Sequence, residues 1–109
     1  MTPEGRVKAD IKKFLNSLPN CFWWMPPVNG YGTNGIPDFV GCYLGVFFAI
    51  EAKRPGGLSG VTALQQDKIN RINQAHGYAI AADNVEAVKA MFEQIDAGLQ
   101  FVPPARLSA

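Results

Sequence analysis

Apolar residues recur with helical spacing in some segments of the chain and form short continuous runs between them. A helix repeats every three to four residues, whereas a short apolar run bounded by turn residues is typical of a buried strand. The pattern predicts the order helix, strand, hairpin, helix, strand, helix in one α/β domain with a mixed central sheet. The last strand should run parallel to the one before it, because a helix intervenes. The helical segments are 3–18, 62–77 and 84–98, and the strand segments are 21–25, 39–50 and 78–82.

The central apolar run has the signature of a tight hairpin. If Leu44 and Gly45 are the central residues of its turn, antiparallel pairing places Asp38 opposite Glu51. Side chains alternate along a strand, so Lys53 lies on the same face as Glu51. We therefore expect one charged cluster at the open end of the hairpin.

This cluster would cap an apolar face that the pattern extends into the core through Val40, Ala49, Cys42 and Phe47. Like charges directly opposite each other on neighbouring strands are destabilising, and a buried charge is costly unless it is paired. A divalent cation bound by the two carboxylates would offset their repulsion. The alternative is a solvated rim, in which Asp38 is an ordinary turn residue after a proline.

The same residues carry a resemblance to a known family. Pro37-Asp38, an apolar run and then Glu-Ala-Lys from Glu51 resemble the motif of the PD-(D/E)xK nucleases. The fuller string is similar to the virus-type replication-repair nuclease (VRR-NUC) branch of that superfamily. It adds Gly-Ile before Pro37, Arg-Pro-Gly-Gly after Lys53 and the segment from Thr62 to Gln65. The resemblance covers most of the chain and implies a restriction-endonuclease-like core, a mixed sheet flanked by helices.

The resemblance also implies metal-dependent hydrolysis of DNA phosphodiesters. Asp38, Glu51 and the backbone carbonyl of Ala52 are then the ligands of Mg²⁺ or Mn²⁺, because these ions prefer hard oxygen donors. Lys53 would orient the attacking water or stabilise the pentavalent phosphate. Asp38, Glu51 and Lys53 are thus the central catalytic candidates.

Two further candidates have a structural role as an alternative. Glu4 lies three residues before Val7 and projects from the buried stripe of the first helix. Its negative charge interacts favourably with the helix dipole, or, as the family implies, it completes the metal site through a water. Gln65 stands three residues after Thr62 and fits a capping box, or it points toward Glu51 as the family glutamine does. The sequence leaves both choices open.

Contacts to DNA are expected from Tyr31, Arg54, Lys68 and Arg71. Tyr31 lies in the irregular segment 26–35 and is available for stacking on a base. Lys68 and Arg71 lie on the polar side of the second helix. The alternatives are an ordinary surface tyrosine and a solvated helix face.

The adjacent residues Trp23 and Trp24 must point to opposite faces of the first strand. We therefore expect both faces to be covered, one by the first helix and the other by a second helix or a partner subunit. Cys21 and Cys42 have no metal-ligand spacing and are predicted to be reduced and buried.

Length and composition fit a single domain over residues 1–109, because 109 residues that are 48% apolar bury one modest core. Residues 98–109 form a tail to which the pattern assigns no definite order. Residues 1–76 hold eight Lys or Arg against five Asp or Glu, whereas 77–109 hold two against four. The basic side therefore belongs to the part with the motif, as a phosphate-backbone partner requires. No signal peptide or membrane span is predicted, and intracellular work is expected.

Apolar residues exceed what a core of this size needs, which predicts a homodimer. Stand-alone members of the resembling family imply a dimer that cuts branched DNA, specifically four-way (Holliday) junctions. Flap or general structure-specific cleavage is the alternative within the nucleases. A non-cutting nucleic-acid-binding subunit that retains the fold is the alternative outside them. The candidate interface residues are Trp23, Trp24, Phe47, Phe48, Phe101, Val102 and Leu107.

Overall fold

The computed structural model describes residues 1–27 and 34–98. Within them the predicted order of elements is confirmed, with one added 3₁₀ turn at Leu58–Gly60. The helices are α1 (Pro3–Ser17), α2 (Ala63–Gln74) and α3 (Val85–Asp96). The strands are β1 (Cys21–Trp24), β2 (Phe39–Tyr43), β3 (Val46–Ala52) and β4 (Tyr78–Ala82).

The four strands form one mixed sheet in the order β1-β2-β3-β4. The pairs β1–β2 and β2–β3 are antiparallel, and β4 runs parallel to β3. A parallel pair cannot be joined by a tight turn, so the chain crosses from β3 to β4 through α2. The predicted α/β architecture, a mixed sheet flanked by helices, is confirmed at this level.

The turn between β2 and β3 is the predicted one. Tyr43 pairs with Val46, which leaves Leu44 and Gly45 as the two turn residues. Both have positive φ angles, 51° and 81°, as a type I′ hairpin turn requires. This turn fixes the register of every pair up to the open end of the hairpin.

At that open end, Phe39 pairs with Ile50. The same register, extended by one residue, brings Asp38 opposite Glu51. Each helix that borders the site begins with a side-chain cap: Thr2 Oγ1 accepts the Gly5 N–H at 3.0 Å, and Thr62 caps α2. The caps satisfy backbone donors that would otherwise be left unpaired at the helix start.

The two faces of the sheet are covered unequally. The face under α1 and α3, called here the α1–α3 face, holds the larger core cluster. The opposite face, called the α2 face, holds a small cluster in which Ile69 of α2 packs on the sheet. The sheet residues in that small cluster are Val40, Ala49 and Ala79.

Several burial predictions for the α2 face are wrong. Cys42 is exposed and Phe47 is 44% exposed, so the apolar face does not continue into the core beyond Val40 and Ala49. On β1, Trp23 is half-buried and packs on the α1–α3 side, whereas Trp24 is 46% exposed. The physical reason is that α2 packs near Ala49 of β3 and Ala79 of β4, and among residues 1–27 and 34–98 no helix covers β1 or the turn end of the β2–β3 hairpin on this face.

The structure also corrects the burial predictions for the two cysteines and the assignment of Phe48. Cys21 and Cys42 are free thiols, but Cys21 is only half-buried and Cys42 is exposed. Phe48 is fully buried, so it belongs to the core and not to the surplus apolar surface. None of the helices in residues 1–27 and 34–98 is long and apolar enough to cross a membrane. The tail residues Phe101, Val102 and Leu107 lie outside the described residues.

Candidate active site

Glu51 is the one buried charged side chain among residues 1–27 and 34–98, with 5% of its surface exposed. It lies near the end of β3, where strand alternation turns it toward the α2 face. Its parallel neighbour on β4 is Ala81, whose methyl group offers no hydrogen bond. A carboxylate in such a place needs partners from outside the sheet.

Gln65, in the first turn of α2, is one of these partners. Its Nε2 donates to Glu51 Oε2 at 3.0 Å, while its Oε1 accepts the Thr62 N–H at 3.0 Å. The Gln65 N–H in turn donates to Thr62 Oγ1 at 3.1 Å, which completes the capping box. The two roles that the sequence left open are therefore both present: one amide caps the helix and holds the carboxylate.

Gly35 sets where this helix turn sits. Its φ is +83°, and a Cβ added there would lie 2.5 Å from the backbone carbonyl carbon and oxygen of Leu64. Only glycine allows the loop before Asp38 to approach α2 this closely. The contact places the backbone of Leu64 and Gln65 against the segment that carries Asp38.

Lys53 is the second partner of Glu51. Its Nζ lies 3.6 Å from Glu51 Oε2, and the side chain is mostly buried. The Lys53 N–H donates to the Ala82 carbonyl at 2.9 Å, so the residue continues the β3–β4 ladder by one step. This backbone bond holds the ammonium on the same face as the carboxylate, as the strand pattern predicts.

Asp38 lies directly before β2 and faces Glu51. Its Oδ2 accepts the Ala52 N–H at 2.9 Å, which fixes the carboxylate across the open end of the hairpin. Its Oδ1 lies 3.7 Å from Lys8 Nζ. Asp38 is therefore held by one backbone donor and one ammonium group.

Lys8 is the site residue that sequence reasoning missed. It comes from α1, and its Nζ also lies 3.3 Å from Glu4 Oε2, one helical turn earlier. Glu4 is therefore linked to Asp38 through Lys8, and it also lies in the first turn of α1, where a negative charge interacts favourably with the helix dipole. The spacing of four residues between Glu4 and Lys8 is a sequence signal for their ion pair. No short-range sequence pattern predicts the contact of Lys8 with Asp38.

Charge and burial act together on Glu51. Burial and, after it, the nearby Asp38 charge raise the pKa of this carboxyl to about 7, while Lys53 opposes the shift. The two acids therefore repel each other, as the predicted pairing requires. The same carboxylates act on Lys8. Burial lowers the pKa of Lys8, but Asp38, Glu4 and Glu51 outweigh burial, so its pKa is raised and its charged form is favoured.

The donor set suits a hard divalent cation better than a soft one. Within the described residues no group of three or more His, Cys, Asp or Glu side chains is arranged to hold a metal ion. An ion at Asp38 and Glu51 would therefore depend on backbone carbonyl and water oxygens for its other ligands, as Mg²⁺ commonly does. The mutual repulsion of the two carboxylates is the feature that such an ion would relieve.

The candidate DNA contacts are not gathered at the site in the same way. Lys68 Nζ and Arg71 Nε both pair with Asp67 Oδ2, at 3.6 and 3.2 Å. These pairs favour the solvated-face interpretation of α2. Arg54 is exposed beside Lys53, and Tyr31 lies outside the described residues.

The cluster around Glu51 joins side chains from α1, from α2 and from both arms of the β2–β3 hairpin at its open end. The hairpin register and strand alternation placed Asp38, Glu51 and Lys53 together correctly, whereas the position of Gln65 at the site was one of two roles that the sequence left open. Of the proteins and families compared with this chain, no family model, no curated protein and no solved structure matches it.

Proposed function

We propose that this protein is a metal-dependent DNA endonuclease of the PD-(D/E)xK type, similar to VRR-NUC domains. The observation that carries the proposal is the Glu51 carboxylate, buried at a strand end, opposite Asp38 and bonded to Gln65 and Lys53. A sheet selected for stability alone gains nothing from two facing acids, one of them buried. Perturbed, buried acids with specific charge partners are a common mark of catalytic sites.

The residues proposed to hold the ion are Asp38, Glu51 and the carbonyl of Ala52, with Glu4 acting through a water. Bound Mg²⁺ or Mn²⁺ supplies Lewis acidity toward the phosphate and a water of lowered pKa. Gln65 keeps the Glu51 carboxylate in one orientation through its Nε2–H donor. Without that bond the carboxylate would have to be ordered at each turnover.

Lys53 has the role of stabilising charge on the phosphate. Its ammonium lies beside Glu51 and is mostly withdrawn from water, which strengthens its field at the reacting group. It cannot ligate a cation, because an ammonium group has donors only. Its removal should therefore slow cleavage much more than it weakens metal binding.

DNA as the polymer is supported by the distribution of charge, eight basic against five acidic residues in 1–76. A single small domain offers little surface for a large branched substrate. The proposal therefore includes a homodimer that cuts branched DNA, specifically four-way junctions. The supporting observation is a strip of exposed aromatic side chains on the α2 face beside the sheet edge at β1: Phe22, Trp24 and Phe47.

The test is nicking of supercoiled and branched DNA in Mg²⁺ by the wild type and by Glu51→Gln, with Glu93→Gln as the matched control. The substituted amide keeps the shape of the glutamate side chain and an acceptor for Gln65 but loses the charge. Glu93 is an exposed acid on α3. We expect Glu51→Gln to lose cleavage by roughly a thousandfold, the scale of losing a key electrostatic contact, and Glu93→Gln to cut like the wild type.

Equal cleavage by wild type and Glu51→Gln would refute the site. DNA binding without cleavage in any metal would instead favour the non-cutting subunit. Matched junction, flap and linear duplex substrates, together with light scattering, separate the finer alternatives. A monomer at micromolar concentration that prefers flaps would refute the junction resolvase and leave the nuclease proposal in place.

A further inference from the structure

Lys8 joins two parts of the molecule that are distant in sequence. Its Nζ lies 3.3 Å from Glu4 on its own helix and 3.7 Å from Asp38 at the open end of the hairpin. The side chain is about 29% exposed, so the ammonium lies at the edge of the site and not in open solvent. Lys8 therefore contributes to the net charge of the cluster that it forms with Glu4, Asp38, Glu51 and Lys53.

Lys8 supplies one of the two positive charges among these side chains. Three carboxylates, those of Glu4, Asp38 and Glu51, face the two ammonium groups of Lys8 and Lys53. Lys53 contacts Glu51, and Lys8 contacts Asp38. Without Lys8, Asp38 and Glu51 would repel each other with only Lys53 to offset them.

The oxygens of Asp38 are divided between two partners. Oδ2 accepts the Ala52 N–H at 2.9 Å, which leaves Oδ1 as the oxygen that faces a cation. In the structure, that cation is the Lys8 ammonium. A metal ion and an ammonium group at the same oxygen repel each other and cannot both be close to it.

We propose that Lys8 is a resident counter-ion of Asp38, and that a divalent cation must displace its ammonium from Oδ1 in order to bind. This inference rests on the proposed metal site, and it adds a residue that sets the affinity of that site. Without metal, Lys8 stabilises the fold by tying α1 to the open end of the hairpin. With metal, the same charge weakens binding.

The test compares Lys8→Met with Lys12→Met in Mn²⁺ binding, followed by electron paramagnetic resonance or calorimetry. Met keeps the length and apolar stem of lysine and removes the charge. Lys12 is exposed one turn later on α1, so its variant has the same net charge and controls for long-range effects. We expect Lys8→Met to bind Mn²⁺ roughly fivefold more tightly than the wild type, the scale of one partly exposed ion pair. Lys12→Met should stay within about twofold of the wild type.

Melting temperature supplies the second readout. Without metal, Lys8→Met should melt below both the wild type and Lys12→Met. Saturating Mn²⁺ should then raise its melting temperature more than that of the wild type, because a tighter ligand stabilises more. Lys8→Arg retains the charge and should bind Mn²⁺ no more tightly than the wild type.

Each other outcome has a distinct meaning. Unchanged or weaker Mn²⁺ binding by Lys8→Met, with normal binding by the wild type, would overturn the counter-ion role and leave the proposed metal site standing. Equal tightening in the Lys8 and Lys12 variants would overturn it too, because the effect would be general electrostatics. Binding by neither the wild type nor Lys8→Met would overturn both the metal site and this inference.

Discussion

On one face of the sheet two helices, α1 and α3, pack over a continuous aromatic core, whereas α2 is the one described helix on the other face. On the α1–α3 face the rings of Phe48 and Phe92 meet edge-on with centroids 4.9 Å apart, and both are essentially buried. On the α2 face the buried sheet residues are small, and the charged site lies at one end. Most of the apolar burial therefore comes from one face, which leaves the other face able to carry a destabilising carboxylate.

The difference follows from topology. A crossover helix between two adjacent parallel strands packs over those strands, so α2 covers β3 and β4. In the described part of the chain, no helix lies over β1 or over the turn end of the β2–β3 hairpin on the same face. Exposed Phe22, Trp24 and Phe47 occupy that uncovered part. The comparison can be tested by changing residues on one face and then on the other.

The largest expected effect is on Phe48, compared with its neighbour Phe47. The two residues are adjacent on β3 but point to opposite faces, and their exposures are 0% and 44%. Phe48→Ala should lower the free energy of unfolding by about 4 kcal/mol, because it removes a buried ring and leaves a cavity. Phe47→Ala should lower it by less than about 1 kcal/mol in the monomer. Urea denaturation of both variants measures the two values.

A similar loss of stability in both variants would show that the α2 face contributes to folding as much as the α1–α3 face, and the comparison would fail. Light scattering on Phe47→Ala adds a second measurement. Dissociation of a wild-type dimer by this substitution, without loss of the monomer fold, would place the aromatic strip at the proposed interface.

The next effect concerns Glu51 without metal. Its pKa rises from 4.5 to about 7 in the fold, chiefly through burial. Between these values the folded state binds more protons than the unfolded state, so stability falls as pH rises from 4.5 to 7. Above pH 7 the loss is complete, and on the order of 3 kcal/mol is expected.

Glu51→Gln should remove this pH-dependent loss and be more stable than the wild type at pH 8 in a metal chelator. Thermal melts across pH 4.5 to 8 measure the effect, with Glu93→Gln as the control for an exposed acid. A Glu51→Gln variant less stable than the wild type at pH 8 would show that the carboxylate stabilises the fold, contrary to its burial beside Asp38.

A smaller effect is expected at Gly35, which brings the loop before Asp38 against α2. Gly35→Ala introduces a side chain at φ +83° and a Cβ that meets the Leu64 carbonyl. We expect Gly35→Ala to cost more than the about 1 to 2 kcal/mol of left-handed backbone strain, because the added Cβ also clashes with the Leu64 backbone, and to slow cleavage, because Gln65 is displaced from Glu51. Gly98 has φ +68° with open space around it, so Gly98→Ala isolates the backbone strain. Equal cleavage by the two variants would remove Gly35 from the site.

Local sequence signals predicted most of the fold correctly. Leu44 and Gly45 gave the turn, the turn gave the register, and the register brought Asp38 opposite Glu51. The helix starts followed from Thr2 and Thr62, because capping is a contact within a few residues. All of these depend on short separations, over which the pattern of the chain is sufficient.

Contacts between distant segments were beyond the sequence pattern. The contact of Lys8 with Asp38 spans 30 positions and depends on how α1 lies against the open end of the hairpin. The exposure of Cys42 and Phe47 depends on which strands α2 covers, which alternation along one strand does not reveal. Alternation assigned each residue to the correct face, but not whether anything covers that face.

The smallest expected effect separates the two roles of Gln65, which joins the cap of α2 to the carboxylate on the α2 face. Gln65→Ala loses both bonds and should cost about 1 kcal/mol of stability, as losing a cap does, together with most of the cleavage rate.

Gln65→Glu keeps an acceptor for the Thr62 N–H but replaces the donor to Glu51 with a second carboxylate. Its cap should survive, so helix stability at pH 8 should fall only through repulsion of Glu51, and Mn²⁺ should restore the melting temperature. Cleavage should fall in both variants, because each frees the Glu51 carboxylate. If Gln65→Glu cuts at the wild-type rate, the bond from Gln65 to Glu51 is not needed for cleavage. The Glu51 carboxylate is then positioned by its own strand and by Lys53, and not by α2.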